Sequence, residues 1–245
     1  MLNYKLLIQY DGTLYSGWQR QKNEFTIQEE LEKSLTRILG EPIAVIGSGR
    51  TDTGVHALGQ VANFKTNSKL PIEQIFNAVN YYLPSDIRVF KCEEVDNDFH
   101  ARFSAIKREY KYLIYNDIQC PPFIRNYVHF IRKSIDIEKL KRSLELFVGE
   151  HNFTSIASSS DDSDRKIRTI YDTKVEKNNN EIAIFIKANS FLRKMVRMIV
   201  GMVLDINIKD ISIEEINRVL KLENRAAHTY PTAPAKGLYL NHVWY

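Results

Sequence analysis

The spacing of apolar residues changes several times in the first hundred positions. Residues 4–10 alternate between apolar and polar, which predicts a strand that ends in the turn Asp11-Gly12. From Thr26 to Gly40 the apolar positions recur every three to four residues, which predicts a helix that starts in a capping box with Glu29. Further strands are predicted over 43–46, 61–64 and 87–95, with a second helix from Pro71. The order β-α-β-β-α-β is that of a ferredoxin-like unit.

The second half partly repeats this order. Strands are predicted over 109–115 and 128–131, followed by an amphipathic helix that ends at Gly149. The run Asn178-Asn179-Asn180 separates two alternating segments and predicts a hairpin. The remaining elements are an almost wholly apolar helix over 191–204, a helix capped by Ser212, and a last strand over 237–244. The sequence therefore predicts an α+β protein with two subdomains, residues 1–103 and residues 104–245.

Composition narrows the class of protein but does not identify a partner. The chain has 245 residues, and 34 Lys and Arg stand against 30 Asp and Glu, so the net charge of +4 is too small to indicate nucleic-acid binding. Two cysteines, Cys92 and Cys120, argue against a disulfide framework. Without a long apolar run or a signal-peptide layout at the start, we expect a cytoplasmic protein. The polar stretch 158–164 is expected to be a mobile loop.

One segment stands out for its chemistry, the run Gly49-Arg50-Thr51-Asp52-Thr53-Gly54-Val55-His56. Its glycines allow sharp turns and the close approach of a ligand to a carboxylate. The residues alone leave two interpretations, a reactive Asp52 or an ordinary turn in which Asp52 bonds its own backbone. A nuclease-like metal pair with Asp11 would need a third carboxylate, and the histidines lack metal-ligand spacing, so we predict no metal. We expect His56 to be structural.

Six segments resemble, in the same order, motifs of the tRNA pseudouridine synthases called TruA. They are spread along nearly the whole chain, from residue 15 to residue 238, which makes the resemblance far more specific than one motif. Asn152, where the family often has Asp, and the bulky stretch 226–232 depart from the pattern. The six segments are Tyr15–Gln21, Gly49–His56, Phe99–Ala105, Arg108–Tyr112, Phe191–Gly201 and Ala233–Leu238.

The resemblance implies a fold, a reaction and an assembly. The fold would be two ferredoxin-like or RRM-like subdomains that share a largely antiparallel sheet, with the active site in a cleft. The reaction would be the isomerisation of uridine to pseudouridine at positions 38, 39 and 40 of the tRNA anticodon stem-loop. The family works as a homodimer without a cofactor or metal. The absence of nucleotide-binding motifs fits an isomerisation, which needs no redox or energy input.

The resemblance also assigns roles to individual residues. Asp52 would be the catalytic carboxylate, and its role as nucleophile or as base remains open. Arg197 would lie beside Asp52 and keep it charged, because a buried Arg needs an anionic partner. Tyr110 would stack on the target base, which must leave its helix to react. Other predicted substrate-binding residues are Arg50, Arg20 and Arg168.

Two alternatives remain open at this point. The chain could be a catalytically silent RNA-binding protein on the same scaffold, or a synthase that acts on another RNA. The intact set of Asp52, Tyr110 and Arg197 argues against the first alternative.

Overall fold

The computed structural model describes residues 1–161 and 163–245, apart from the side chain of Ala227. The first elements are β1 (Leu2–Tyr10), α1 (Ile27–Leu39), β2 (Val45–Gly47), β3 (His56–Thr66), α2 (Ile72–Tyr82) and β4 (Ile87–Val95). They are followed by β5 (Lys107–Asn116), β6 (His129–Ile131), α3 (Ile137–Glu145), β7 (Gly149–Asn152), β8 (Ile167–Asn178), β9 (Glu181–Ala188), α4 (Met195–Ile208), α5 (Glu214–Lys221) and β10 (Leu238–Trp244). The predicted α+β class is confirmed.

The chain divides into two compact units, residues 1–106 with 239–245 and residues 107–238. Division of the chain at residue 103 places the last strand in the second half, whereas the structure groups Tyr239–Tyr245 with the first unit. The reason is a parallel pairing in which Tyr239 lies opposite His56 and Leu240 opposite Ala57. A pairing over such a distance in sequence leaves no mark in local periodicity.

In the first unit, β1 lies between β3 and β4 and is antiparallel to both. The predicted β-α-β-β-α-β order is confirmed, and β2 pairs with β3. The alternating side chains of β1 are buried, as the period of two requires. Helix α1 buries Ile27, Leu31 and Leu35 and ends at Gly40, whose φ of 70° is left-handed. The prediction of a capping box is wrong, because the Thr26 side chain makes no capping hydrogen bond.

In the second unit, β5 pairs with β9, β9 with β8, and β8 with β7, all antiparallel, while β6 runs parallel to β5. The hairpin is confirmed, with Asn179 at a φ of 51°. The apolar helix α4 is buried almost throughout but begins at Met195 rather than at residue 191. It cannot begin earlier because Lys194, at a φ of 61°, has left-handed backbone.

The predicted mobile loop of residues 158–164 includes Asp162, which lies outside the described residues. Asp161 beside it is held firmly: its carboxylate accepts hydrogen bonds from Lys166 Nζ and from the backbone N–H groups of Ser163 and Arg193. Ser158 N–H donates to Arg193 O at 3.0 Å. The loop is therefore tied to the segment that leads into α4.

In the described part of the chain, no helix is both long and apolar enough to cross a membrane.

Candidate active site

Asp52 lies in the loop between β2 and β3, and this loop is fixed to the sheet at its start. Ser48 N–H donates to Val61 O at 2.7 Å. Gln60, which is fully buried on β3, holds Gly49 O through its amide nitrogen at 2.9 Å and contacts Ser48 Oγ through its amide oxygen at 2.7 Å. The loop therefore leaves the sheet in a set direction.

The middle of the loop is held by a second segment, residues 12–18. Trp18 N–H donates to Thr51 O at 3.1 Å, and Gly54 N–H donates to Tyr15 O at 3.3 Å. The Thr51 hydroxyl lies 2.8 Å from the Tyr10 hydroxyl in the core. Each anchor is one or two residues from Asp52, so the backbone at Asp52 has little freedom.

Two glycines make this packing possible. Gly17 has a φ of 91°, and a Cβ there would lie 2.4 Å from Thr51 O and 3.0 Å from the carbonyl carbon of Asp52. A Cβ on Gly12 would lie 2.0 Å from Val55 O. No larger residue fits either position without displacement of the loop.

The side chain of Asp52 is half-exposed. The backbone carbonyl of Asp52 accepts a hydrogen bond from Val55 N–H at 3.1 Å. Arg50, two residues earlier, is exposed. The loop thus presents a carboxylate and a cation from a backbone with several anchors. Such anchoring is expected of a loop that carries a reactive group rather than of an ordinary surface turn.

His56 completes the loop and is buried. Its Nδ1 accepts a hydrogen bond from Gly12 N–H at 3.0 Å, and its ring stacks on Tyr239 at 4.8 Å. The same nitrogen is 3.2 Å from Asp11 Oδ1, but a nitrogen that accepts a hydrogen bond has no proton to share with that carboxylate. The contacts of His56 are those of a residue that supports the loop.

In the second unit, Tyr110 lies on β5 and is buried, with its ring edge-on to Phe191 at 5.1 Å. Tyr112, two residues on, shares its face of the strand. Phe191 belongs to the segment 191–194 that the left-handed Lys194 keeps out of α4. That interruption of the helix places an aromatic ring against Tyr110.

Arg197 lies in the first turn of α4 and is half-buried. Its Nε donates to Ala233 O at 2.8 Å, and its own carbonyl accepts from Ala233 N–H at 3.0 Å. The two bonds form a closed pair between one residue of the helix and one residue of the chain after α5. A backbone carbonyl therefore holds the Nε of the guanidinium.

The other two predicted substrate-binding arginines are partly engaged within the protein. Arg20 is exposed and donates to Glu32 at 3.2 Å. Arg168 donates to the carbonyls of Arg165 and Ile167 at 2.8 and 2.7 Å. Burial lowers the pKa of Arg168, and the charge of Asp161 opposes that effect.

The structure places Asp52 and Arg50 in one loop of the first unit and Tyr110 and Arg197 on β5 and α4 of the second. Sequence reasoning missed the residues that hold them, above all Tyr10, Thr51, Gln60 and Ala233. A buried hydroxyl or amide next to a reactive loop has no periodic signal, although Gln60 within an apolar strand is a hint. Within residues 1–161 and 163–245, no group of three or more His, Cys, Asp or Glu could hold a metal ion.

Comparison with known proteins identifies the class. A family model described as tRNA pseudouridine synthase matches residues 6–104 and 143–245, which include Asp52 and Arg197. The chain therefore belongs to the tRNA pseudouridine synthase family. The prediction of an isomerase of this class, with the fold of the pseudouridine synthases, is confirmed.

Individual relatives match over the full length of both chains. The chain is 44% identical over 245 residues to the tRNA pseudouridine synthase A of Thermoanaerobacter sp. (strain X514). It is 41% identical over 245 residues to the protein of that name from Acetivibrio thermocellus. Among solved structures, it resembles a chain of the archaeal box H/ACA sRNP Nop10-Cbf5 complex with a TM-score of 0.41 and 10% identity, over 83% of this chain and 43% of that one. That likeness is too weak to support an argument.

Proposed function

We propose that this protein converts uridine to pseudouridine at positions 38, 39 and 40 in the anticodon stem-loop of tRNA. The full-length similarity to proteins named tRNA pseudouridine synthase A carries the proposal as far as tRNA. The choice of positions 38–40 rests on the resemblance of the six sequence motifs to the TruA family. We also propose that the protein works in the cytoplasm and, as the resemblance to the TruA family implies, as a homodimer.

Asp52 is the proposed catalytic carboxylate. The reaction breaks the bond between C1′ and N1 of uridine, turns the base, and forms a bond between C1′ and C5. C5 then loses a proton and N1 gains one, so the product is an isomer. Asp52 can serve as nucleophile or as base in this sequence. The single observation that supports it most is the anchored loop, which holds a half-exposed carboxylate between the buried contact of Thr51 with Tyr10 and the hydrogen bond from Gly54 N–H to Tyr15 O.

Arg197, Tyr110 and Arg50 are the other residues to which we assign a role in the reaction. Arg197 provides a guanidinium whose Nε is held by Ala233 O, and a positive charge of this kind favours the charged form of a carboxylate close to it. Tyr110 provides an aromatic face for the flipped uracil. Arg50, together with Arg20 and Arg168, binds the tRNA backbone.

The test is release of tritium from anticodon-arm RNAs that carry a single C5-labelled uridine at position 38, 39 or 40. We expect release from all three RNAs and much slower release when the uridine is moved elsewhere. Asp52→Ala should abolish release while tRNA binding changes little. Asp98→Asn, which alters an exposed carboxylate in the same unit, is the matched control and should behave as wild type.

Each negative result has a distinct meaning. Wild-type protein that binds tRNA without tritium release would favour the RNA-binding alternative. Release from another RNA but not from the anticodon arm would contradict the assignment of positions 38–40. Asp52→Ala protein that turns over normally would remove Asp52 from the mechanism.

A further inference from the structure

The segment Pro231–Gly237 joins two parts of the second unit, α4 and β5. It runs along α4, pairs with Arg197, and ends against β5. It carries no side chain that sequence reasoning assigned to the chemistry. Its contacts with α4 and β5 determine where the carbonyl of Ala233 meets Arg197.

At one end, the segment lies directly on the backbone of α4. A Cβ on Gly201 would lie 1.8 Å from Pro231 O and 3.0 Å from Ala233 N. Gly201 therefore lets the segment approach the helix at the turn that follows Arg197. Ala233, which is buried, then forms its reciprocal pair of hydrogen bonds with Arg197.

At the other end, the segment is held by Tyr112 on β5. The Tyr112 hydroxyl donates to Pro234 O at 3.0 Å, and the residue is fully buried. A Cβ on Gly237 would lie 2.8 Å from Tyr112 Cζ, so the chain closes tightly around this ring. Burial raises the pKa of Tyr112, and the positive charge of Arg197 opposes that rise.

These contacts form a continuous path from β5 to the guanidinium. Tyr112 holds Pro234, the next residue back is Ala233, and Ala233 O accepts from Arg197 Nε. Tyr110, the proposed base-stacking residue, lies two positions from Tyr112 on the same face of the strand. A shift of the Ala233 carbonyl would weaken this hydrogen bond or turn the guanidinium with it, because a hydrogen bond depends on distance and angle.

We propose that Tyr112 is a positioning residue that fixes the Arg197 guanidinium through Pro234 and Ala233. The proposal rests on the proposed function, in which Arg197 acts in the isomerisation. Tyr112 itself does not touch the substrate. Its hydroxyl increases the rate only when residue 197 is an Arg, whose Nε–H can donate to Ala233 O.

The experiment is a double-mutant cycle with Tyr112→Phe and Arg197→Lys, measured by single-turnover tritium release from an anticodon-arm RNA. Tyr112→Phe keeps the ring and removes one hydroxyl. We expect its single-turnover rate to fall about tenfold with little change in the concentration that gives the half-maximal rate, because misorientation of a catalytic group affects the chemical step. In the Arg197→Lys background the same change should cost less than about twofold, since Lys lacks the Nε–H that Ala233 holds.

Two controls separate this role from a general loss of stability. Tyr115→Phe makes the same chemical change on the opposite face of β5 and should leave the rate unchanged. Ile182→Val removes a methyl group from the core of the same unit, at a fully buried position on β9. It should lower Tm but leave the rate per folded molecule unchanged.

The outcomes are distinguishable. A wild-type rate for Tyr112→Phe would overturn the positioning role while the proposed function stands. The same conclusion would follow if Tyr112→Phe cost as much rate in the Arg197→Lys background as it does in the wild-type background. An equal loss of rate in Ile182→Val would also overturn it. Wild-type protein without tritium release would refute the proposed function and this proposal together.

Discussion

Gly17 and Thr51 approach so closely that a Cβ on Gly17 would lie 2.4 Å from Thr51 O. The backbone there is left-handed, with a φ of 91°, and the carbonyl carbon of Asp52 is the next nearest atom. The position of the proposed catalytic residue thus depends on a glycine in a separate loop, the one between β1 and α1.

Gly17→Ala should therefore lower the rate per folded molecule, in addition to any loss of stability. The new methyl group must push Thr51 O and the backbone of Asp52 away, and a displacement of about 1 Å costs on the order of a hundredfold in rate. Gly40→Ala is the matched control, because Gly40 is also left-handed but a Cβ there would meet nothing within 4 Å. Its rate per folded molecule should equal that of wild type. Similar rates for both variants would show that the Asp52 loop tolerates displacement.

Arg50→Ala should weaken tRNA binding rather than the chemical step. Arg50 is exposed, and the loss of one phosphate contact should raise KM and reduce the slope of log KM against log salt by about one. Arg37→Ala removes the same charge from the exposed Arg37 on α1, where the guanidinium lies 4.2 Å from the centre of the Tyr82 ring, and should change neither quantity. A fall in kcat with an unchanged salt slope would assign Arg50 to the flipped base instead.

Asp161 should make the second unit sensitive to acid. Burial raises its pKa, but hydrogen bonds from Lys166, Arg193 N–H and Ser163 lower it by more, so that the pKa falls from 3.8 to about 2. Its stabilisation is complete above pH 3.8 and is lost as the pH falls towards 2. Asp161→Asn should lower the free energy of unfolding at pH 7 by about 2 kcal/mol.

The difference between Asp161→Asn and wild type should shrink as the pH falls from about 4 to 2 in urea unfolding curves. Asp164→Asn changes an exposed carboxylate in the same loop and should match wild type at every pH. A difference that stays constant across this range would mean that the charge of Asp161 is not what stabilises the loop.

His129 should lower the stability of the protein as the pH is decreased, and it should do so at higher pH than Asp161 does. Burial lowers its pKa from 6.5 to about 4, with a smaller contribution from the charge of Lys236. The unfolded chain therefore binds a proton before the folded protein does, so the free energy of unfolding decreases as the pH falls from about 6.5 to 4 and levels off below.

His129→Phe should flatten this part of the pH profile of unfolding, since Phe keeps the ring that packs edge-on against Tyr112 at 6.0 Å. The exposed His242, changed to Phe, is the control and should leave the slope as it is in wild type. An unchanged slope in His129→Phe would assign the proton uptake to another group. The buried His228, whose pKa is also lowered by burial, is the next to test.

Local elements were predictable because their causes are local. The strand over Ile87–Val95 has the predicted bounds, Gly40 ends α1, and Asn179 turns the hairpin, each through its own backbone preference. The apolar character of α4 was visible, but its start was not, because residues 191–194 are apolar or basic like the helix itself. The short edge strand β7, Gly149–Asn152, was missed for lack of a repeating pattern.

By itself the sequence determined the α+β class, the order of elements in the first unit up to β4, the family and the identity of the reactive candidates Asp52, Tyr110 and Arg197. Only the tertiary structure decided what holds them. The Tyr10–Thr51 contact, the fit of Gly17 to the loop and the Ala233–Arg197 pair all join residues far apart in the chain. Hydrogen bonds and close contacts of this kind depend on distance in space, and the period of a sequence reports only which face of an element is buried.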